Sequence, residues 1–276
     1  MITATNLTMK YTPPLNFTLD AGLTHGLVGA NGVGKTTLLR MVAGQFPADG
    51  LSVFGVAPFD NRAVMDRCVL MGIDNPLPTG WNLKKIFALG RARWSTWNQA
   101  RADELVERFD LPVKNYSGYS RGQKSAAGFI FAVASGCELM LLDEPYLGLD
   151  VERRQLFLDV LREEHGRTIV VSTHHLNEVA GHLDTVLLLA DAPLAGPVGD
   201  LTEAIVELSG PAADVDRVLS RLNMPVLQRA SNALGDRVVV DARPDLAEGV
   251  FDQARQCGVR AAEVSLERAV LALGGK

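Results

Sequence analysis

The chain has 276 residues, of which 47% are hydrophobic and 21% are charged, so its length and composition fit a globular protein of one large or two modest domains. The formal net charge of −5 leaves no basic excess for binding nucleic acid phosphates or anionic lipid, and nucleic-acid binding is therefore not expected. The cysteines Cys68, Cys137 and Cys257 are far apart, show no CxxC spacing, and are expected to be reduced thiols.

The sequence predicts neither a secretion signal nor a membrane-spanning helix. The first residues do not combine a charged stretch with an apolar one, as a signal peptide would. The longest apolar stretch without a charge runs from Ser125 to Cys137, which is shorter than the roughly 18 residues that a spanning helix needs. We therefore expect that any work at a membrane depends on another chain.

Short apolar runs alternate with helical patterns over the first 200 residues. The runs are typical of buried strands and occupy residues 25–29, 51–55, 68–72, 139–142, 168–172 and 185–190. Helical spacing of apolar residues begins near Lys35 and recurs within residues 82–110 and 151–165. Buried strands that alternate with helices predict an α/β fold with a parallel sheet covered on both faces.

The pattern changes after about residue 200. Strand-like runs and helical patterns now follow in the order βαββαβ, at residues 204–208, 211–222, 225–230, 237–242, 244–257 and 259–264. This order suits a small ferredoxin-like α+β module, closed by a further helix over residues 265–273. The Pro- and Gly-rich stretch APLAGPVGD predicts a boundary between two domains, residues 1–200 and 201–276.

The octapeptide GANGVGKT, residues 29–36, matches the pattern G-x-x-x-x-G-K-[ST] and is called the phosphate loop below. Its three glycines would let the backbone wrap around a polyphosphate with N–H groups pointing inward, and the following helix adds the positive end of its dipole. Lys35 would supply a charge for the β- and γ-phosphates, and Thr36 a hydroxyl ligand for Mg²⁺. The alternative is a tight strand–helix turn that binds nothing.

The segment LMLLDEP, residues 139–145, places two carboxylates directly after a predicted strand. Asp143 would emerge at the carboxyl end of the strand, where such sheets bind ligands, and it fits a carboxylate linked to Mg²⁺. Glu144 is placed to polarise an attacking water molecule. Two acidic residues after a strand are a weak signal alone, but with the phosphate loop they predict binding and hydrolysis of a nucleoside triphosphate.

Five motifs follow one another in a fixed order: GANGVGKTT, YSRGQK, LLDEP, GLD at residues 148–150 and VSTHHLNE at residues 171–178. In this order the chain resembles the ABC-type ATPases from residue 1 to about residue 200. The resemblance implies a P-loop fold with a helical subdomain at about residues 75–135, an antiparallel N-terminal β subdomain, and ATP and Mg²⁺ as cofactors. The residues that it assigns to the phosphates are Gly29, Ala30, Asn31, Gly32, Val33, Gly34, Lys35, Thr36 and Thr37.

The signature segment (residues 119–124, YSRGQK) precedes a long apolar helix. Serine is an ordinary helix cap, but the glycine and glutamine after it are poor choices for a helix start alone. The resemblance implies that two subunits lie head to tail and that this helix end faces the ATP held by the partner's phosphate loop. Ser120, Gly122 and Gln123 would then contact that nucleotide, partly through backbone N–H groups. The alternative is a plain cap for a core helix.

Three further residues receive roles from the resemblance. Tyr11 would stack on adenine, and His174 would hydrogen-bond the γ-phosphate, so that Glu144 and His174 are the catalytic residues. Asp150 would contact the opposing subunit. It could also cap the helix that starts at Val151, and the two roles are compatible.

The sequence departs from the family pattern at two places. Tyr119 and Arg121 replace the usual leucine and glycine of the signature. Arg121 could crowd the facing nucleotide or add positive charge outside it, and we favour the second because Ser120 and Gly122 are kept. Asp74 stands where the family usually has a glutamine that joins Mg²⁺ to the membrane partner. The implied metal ligands are therefore Thr36, Asp143 and, if the alignment has no gap there, Asp74.

The sequence thus predicts the ATP-hydrolysing subunit of an ABC membrane transporter, peripheral on the cytoplasmic face of the cell membrane. It would pair with a second ATPase subunit, with a homodimer favoured, and drive separate integral membrane permease subunits. Docking of the permease is expected within residues 75–118, where Trp81, Trp94 and Trp97 are candidates for the interface.

Export is favoured over import, because the closing segment VSLERAVLALGGK resembles that of ABC-2-type export and drug-resistance ATPases. Two alternatives remain open. One is a soluble ABC ATPase without a transport role, and the other is a weakly active subunit that pairs with a different ATPase.

Overall fold

The structure is a computed structural model, and it describes residues 1–10, 12–72, 77–174, 176–190, 193–233, 235–242 and 249–274. Two of the predicted site residues, Tyr11 and Asp74, lie outside the described residues, so their roles stay predictions.

The described strands and helices alternate along most of the chain. The strands are β1 Ile2–Met9, β2 Thr12–Leu19, β3 Thr24–Gly29, β4 Leu51–Val53, β5 Cys68–Gly72, β6 Leu139–Asp143, β7 Thr168–Thr173, β8 Thr185–Leu189, β9 Leu194–Pro197, β10 Ile205–Gly210, β11 Val226–Asn232, β12 Gly235–Asp241 and β13 Arg260–Glu263. The helices are α1 Lys35–Val42, α2 Arg62–Met65, α3 Leu83–Arg93, α4 Gln99–Arg108, α5 Arg121–Ala134, α6 Val151–Glu163, α7 Leu176–Val179, α8 Val198–Ala204, α9 Ala212–Leu222, α10 Val250–Gln256 and α11 Leu266–Leu273.

The central sheet has the strand order β5-β6-β7-β3-β8-β9 in the described part of the chain. Its first five strands are parallel, and β9 runs antiparallel to β8. Successive residues of β6 enter different buried clusters: Leu141 packs in the cluster that contains α1, and Leu142 in the cluster that contains α5 and α6. Both faces of the sheet are therefore covered, which explains the unbroken apolar sequence of β6 and confirms the predicted α/β fold.

A second, antiparallel sheet forms from the N-terminal strands in the order β2-β1-β4. Its apolar face is buried against α1, where Ile2 and Leu15 share a cluster with Leu38. The antiparallel N-terminal β subdomain that the resemblance implied is confirmed.

Helices α3, α4 and α5 form the helical subdomain. Helix α5 is buried from Ala126 to Ala134, which explains why this stretch is apolar without being a membrane span. Trp94 and Trp97 pack on Phe131 of α5 with ring centroids 5.6 and 5.3 Å away, whereas Trp81 is 40% exposed. Of the three tryptophans, only Trp81 thus offers much of its surface to a partner.

The C-terminal module contains an antiparallel sheet in the order β11-β12-β10-β13. Helices α9 and α10 cover one face around Val206, Val215 and Val238, and α11 packs on the other face around Val239 and Ala269. This is the predicted ferredoxin-like arrangement. The predicted boundary at residue 200 falls inside α8, so the chain enters the module through a helix.

Within the described residues, no helix combines the length and the apolar character that crossing a membrane requires.

Candidate nucleotide-binding site

The phosphate loop leaves the end of β3 and leads directly into α1. Gly32 has a φ of +82° and Gly34 a φ of +116°, conformations that residues with a Cβ rarely adopt. Gly34 is the N-cap of α1 and provides no side-chain hydrogen bond, so the first N–H groups of the helix have no side-chain cap. The loop therefore has the shape and the polarity of an anion site.

Lys35 lies inside this loop and is only 7% exposed. Its Nζ donates hydrogen bonds to the carbonyl oxygens of Gly29 (2.8 Å) and Ala30 (3.3 Å). Burial lowers the pKa of the Lys35 ammonium, and the nearby carboxylates of Glu144 and Asp143 oppose that shift. A positive charge held this way is available to phosphate groups at the loop.

Asp143 stands at the end of β6 and is hydrogen-bonded at both carboxylate oxygens. Thr36 Oγ1 donates to Oδ2 at 2.6 Å, and Ser172 Oγ of β7 donates to Oδ1 at 2.5 Å. Gly72 of β5 borders the same residue, since a Cβ at position 72 would lie 2.7 Å from the Asp143 Cβ. Three neighbouring elements thus fix the orientation of this carboxylate beside the phosphate loop.

Glu144 follows immediately, with a φ of +47° that is uncommon for a residue with a side chain. Its N–H donates to Ser172 Oγ at 3.0 Å, and its Oε2 accepts from Nδ1 of His174 at 2.8 Å. The sharp turn after β6 and the end of β7 therefore place the two predicted catalytic residues in direct contact. The pair can orient a water molecule and respond to charge at the adjacent phosphate loop.

The start of α5 is built as a capping box. Ser120 Oγ accepts from the Gln123 N–H at 3.2 Å, and Gln123 Oε1 accepts from the Ser120 N–H at 3.0 Å. Gln123 is therefore a good choice for a helix start, which corrects the interpretation from sequence that glutamine is a poor choice there. Its N–H is already hydrogen-bonded within the chain, which leaves the N–H groups of Arg121 and Gly122 as the first candidates for an anion contact.

Gly122 packs against the loop that leads to α6. A Cβ at position 122 would lie 2.3 Å from the carbonyl oxygen of Gly148. Asp150 then caps α6, because its Oδ1 accepts from the Arg153 N–H at 2.8 Å. This hydrogen bond is the main reason that the pKa of the Asp150 carboxyl is lowered. The signature segment and the loop at residues 148–150 thus form one packed unit whose outer residues, Ser120 and Asp150 included, are exposed.

The residues present suit a complex of Mg²⁺ and a nucleoside triphosphate. Among the described residues there is no group of three or more His, Cys, Asp and Glu that could hold a metal ion without help. Mg²⁺ usually takes one or two protein carboxylates together with phosphates and water. The Thr36 hydroxyl and the Asp143 carboxylate, already in contact, could hold it in that way.

The structure brings together Lys35, Thr36, Asp143, Glu144 and His174, all of which were predicted from sequence. The remaining loop residues, Ala30, Asn31, Val33 and Thr37, follow the same β3–α1 turn, and Val33 packs on the core between the N-terminal sheet and α1. Two contributors were missed. Ser172 bridges Asp143 and Glu144, and Gly72 leaves room for Asp143. A polar residue near the end of an apolar strand and a glycine at the end of another were the available signals.

A parallel sheet whose strand ends hold a phosphate loop, a carboxylate pair and a histidine defines a P-loop nucleoside triphosphatase. Comparison with known proteins agrees. The family profile described as ABC transporter matches residues 13–147. The daunorubicin resistance ATP-binding protein DrrA3 of Streptomyces coeruleorubidus is 30% identical over 93% of this chain and 87% of its own length.

Other relatives and solved structures extend this likeness. The aliphatic sulfonates import ATP-binding protein SsuB of Pseudomonas putida is 33% identical over 79% of each chain. A solved ATP-binding subunit of an ABC transporter superposes with a TM-score of 0.62 at 21% identity, covering 72% of this chain and 91% of that one. The chain belongs to the ABC transporter family. It is an ATP-binding subunit of the kind that hydrolyses ATP and works with membrane permease subunits.

Proposed function

We propose that this chain is the ATP-hydrolysing subunit of an exporter, that two such subunits enclose Mg²⁺·ATP head to tail, and that they drive separate permease subunits from the cytoplasmic face of the membrane. The observation that supports this most is the contact between Glu144 and His174 beside the buried Lys35 and the Thr36–Asp143 pair. This set holds a charge for phosphates, two metal ligands and a base in one place.

Each residue of the set has a separate task in this proposal. The Lys35 ammonium would bind the β- and γ-phosphates, and Thr36 and Asp143 would hold the metal ion. Bound Mg²⁺ would offset the negative charge that the transferred phosphoryl group spreads over its oxygens. Glu144 accepts the proton of the attacking water, and His174 hydrogen-bonds the γ-phosphate and orients Glu144.

Pairing of two copies is supported by the exposed unit formed by the signature segment and the loop at residues 148–150. Tyr119 of this unit donates a hydrogen bond to the Pro112 carbonyl oxygen at 2.8 Å, whereas no hydrogen bond among the described residues joins the unit to the phosphate loop. The N–H groups of Arg121 and Gly122 are therefore available to a nucleotide on a second chain. Arg121 is exposed and would add positive charge there. We favour two copies of this chain as the pair.

Docking of a permease is supported by a groove on the helical subdomain. The groove has a volume of about 530 Å³ and runs between α3, α4 and residues 111–114, with Leu83, Phe87 and Val106 in its wall. Val113 at its rim is fully exposed. An apolar groove with a charged rim suits a short amphipathic helix from a membrane partner.

Export is supported by the extent of the likeness. The alignment with the drug-resistance relative runs over 93% of this chain, whereas that with the sulfonate importer runs over 79%. The C-terminal module therefore has its counterpart among drug-resistance proteins.

Purification of the tagged full-length chain from detergent-solubilised membranes of its own cells tests the proposal. We expect recovery of a polytopic membrane protein with the wild-type chain, and expect Val113→Asp together with Leu83→Asp to abolish it. Reconstitution of the complex in vesicles should then give ATP-driven movement of substrate away from the side that carries the ATPase. Recovery of the chain without any membrane protein would favour a soluble ABC ATPase and contradict the proposal.

A further inference from the structure

Helix α11, the last helix of the C-terminal module, lies beside the nucleotide site. A cavity of about 470 Å³ separates them. On one side it is lined by Asn31 of the phosphate loop and by His174, and on the other by Glu267, Val270 and Leu271 of α11. A module that follows the ATPase fold in sequence thus borders the residues proposed to act in hydrolysis.

The physical link between them is α7, which begins two residues after His174. The Asn177 side chain of α7 donates a hydrogen bond through Nδ2 to Oε2 of Glu267. Leu176 and Val179 of α7 lie in the same buried cluster as Leu266 and Val270 of α11. One polar and one apolar contact therefore hold α7 against α11.

The other side of α7 is held by the ATPase core. Glu178 accepts from Arg154 of α6 at 2.5 Å, and Arg154 also donates to the carbonyl oxygen of Leu149. The helix is only four residues long and cannot hold its own position. The orientation of α7 therefore depends on these two flanking contacts.

Helix α11 is in turn fixed to the sheet of its own module. Arg268 forms an ion pair with Glu207 of β10, and Ser265 caps the helix by accepting from the Arg268 N–H at 3.3 Å. Contacts therefore run from the module sheet through α11 to Asn177, which lies three residues after His174.

We propose that Glu267 is a positioning residue for ATP hydrolysis: through Asn177 it orients His174 against Glu144, so that turnover depends on the C-terminal module. The proposal rests on the role given to His174 in the proposed function. A carboxylate is a stronger acceptor for the Asn177 amide than a neutral group, and an error of about 1 Å in a catalytic group can reduce turnover by up to about 100-fold.

The test compares Glu267→Ala, Glu267→Gln and Asn177→Ala in the full-length chain with its partners. We expect Glu267→Ala and Asn177→Ala each to lower kcat by about tenfold with unchanged nucleotide affinity. Glu267→Gln should recover part of the loss, because its amide oxygen still accepts a hydrogen bond. The double variant should be no worse than either single one, since both remove the same contact.

Glu263→Ala is the matched control. Glu263 is an exposed residue on β13 of the same module, and its carboxylate has no hydrogen-bond or ion-pair partner among the described residues. It should leave kcat unchanged. Ring ¹⁵N shifts of His174 should move in Glu267→Ala, whereas those of His25, buried in β3, should not.

His174→Ala, measured in parallel, separates the two proposals. If His174→Ala abolishes turnover but Glu267→Ala and Asn177→Ala leave kcat and the His174 shifts unchanged, the positioning role is wrong and the proposed function stands. If His174→Ala leaves turnover intact, the role of His174 in the proposed function is wrong and this proposal is wrong with it. Should Glu267→Ala fail to fold, the kcat and the His174 shifts of Asn177→Ala test the same contact, because this variant alters no residue of the module.

Discussion

Glu144, for which we propose the role of base in hydrolysis, has a backbone conformation that is unfavourable for its residue type. A left-handed residue with a side chain costs on the order of 1–3 kcal/mol, and such strain is often found at functional sites. Here the turn directs Glu144 away from the line of β6 and towards His174, while Asp143 continues in the strand. Two adjacent carboxylates can thus serve a metal ion and a water molecule separately.

Glu144→Gln should therefore slow hydrolysis strongly and keep nucleotide binding. The amide preserves the size of the side chain but cannot accept a proton, so we expect a fall in kcat of about 100-fold or more. Steady-state phosphate release and titration with a fluorescent ATP analogue measure the two quantities. Glu152→Gln, an exposed acidic residue on α6, is the control. Turnover that stayed at the wild-type rate would remove Glu144 from the role of base.

Lys35→Ala should lower nucleotide affinity rather than turnover alone. Loss of hydrogen bonds from a charged donor costs about 1.5–3 kcal/mol, which corresponds to a roughly 10- to 100-fold higher Kd. The same fluorescence titration measures it, with Lys85→Ala on α3 as the control. Wild-type affinity in Lys35→Ala would contradict the assignment of the phosphate loop.

His25 should make stability depend on pH. It is fully buried in β3, where Nε2 donates to the Asp20 carbonyl and Nδ1 accepts from the Thr185 hydroxyl, so the neutral imidazole fits the site. Burial lowers the pKa of His25 in the folded chain, and the hydrogen bond to Asp20 only partly offsets this. The unfolded chain then binds a proton more readily, with a pKa of about 6.5.

His25 should therefore make the folded chain less stable as the pH falls. Above pH 6.5 the imidazole is neutral in both states and its contribution is complete; as pH falls through 6.5 the unfolded state is favoured and stability is lost. Urea midpoints between pH 7.5 and 5 should fall less steeply in His25→Gln than in the wild type, with the exposed His165→Gln as the control. Equal slopes for His25→Gln and the wild type would contradict this.

At the scale of elements, the packing of α5 on the loop at residues 148–150 joins the signature segment to α6. Gly122→Ala should disrupt this unit, because its Cβ would meet a backbone oxygen 2.3 Å away that cannot move without the loop. We expect a loss of about 1–3 kcal/mol in unfolding free energy and a large fall in turnover.

Gly128→Ala on the same helix provides the comparison. Its Cβ would meet only the flexible end of Met71, at 3.3 Å. Urea unfolding and phosphate release should show a mild effect for Gly128→Ala and a severe one for Gly122→Ala. Equal effects would mean that the close approach to Gly148 is not what requires the glycine.

The elements show what the sequence could and could not predict. Unbroken apolar runs identified β3, β5, β6, β7 and β8, and glycine and lysine spacing identified the phosphate loop. The prolines of β2, Pro13 and Pro14, hide a strand from propensity arguments, and they are tolerated because β2 is the outer strand of its sheet. Residues 82–110 divide into two helices where Asn98 caps α4, accepting from the Arg101 N–H at 3.0 Å.

Site contributors that depend on strand register were beyond the reach of sequence. Ser172 lies opposite Asp143 in the β6–β7 pairing, and Gly72 lies opposite it in the β5–β6 pairing. Local sequence patterns cannot predict that these residues are neighbours of Asp143, because they are distant from it along the chain. The capping box, in contrast, is visible in the sequence as Ser120 followed three residues later by Gln123.

At the scale of the whole molecule, the ATPase fold and its C-terminal module meet beside His174 rather than at a surface remote from the nucleotide site. The βαββαβ pattern predicted the succession of β10 to β13 along the chain. The contact of α11 with α7 could not be predicted from the sequence, because it depends on how the module packs against the ATPase fold. The exposed unit formed by the signature segment and the loop at residues 148–150 has its proposed function only when a second chain supplies the nucleotide. The proposal therefore depends on a composite site, in which two chains contact the same ATP.

Co-expression of two inactive variants with different tags tests that claim most directly. One chain has Lys35→Ala and the other Ser120→Arg, and pairs that contain both are purified by both tags. If each ATP site combines one chain's phosphate loop with the other's signature segment, the mixed pair has one intact site and should show roughly half of wild-type turnover, well above either variant alone. If the mixed pair is as inactive as the separate variants, the composite site is contradicted.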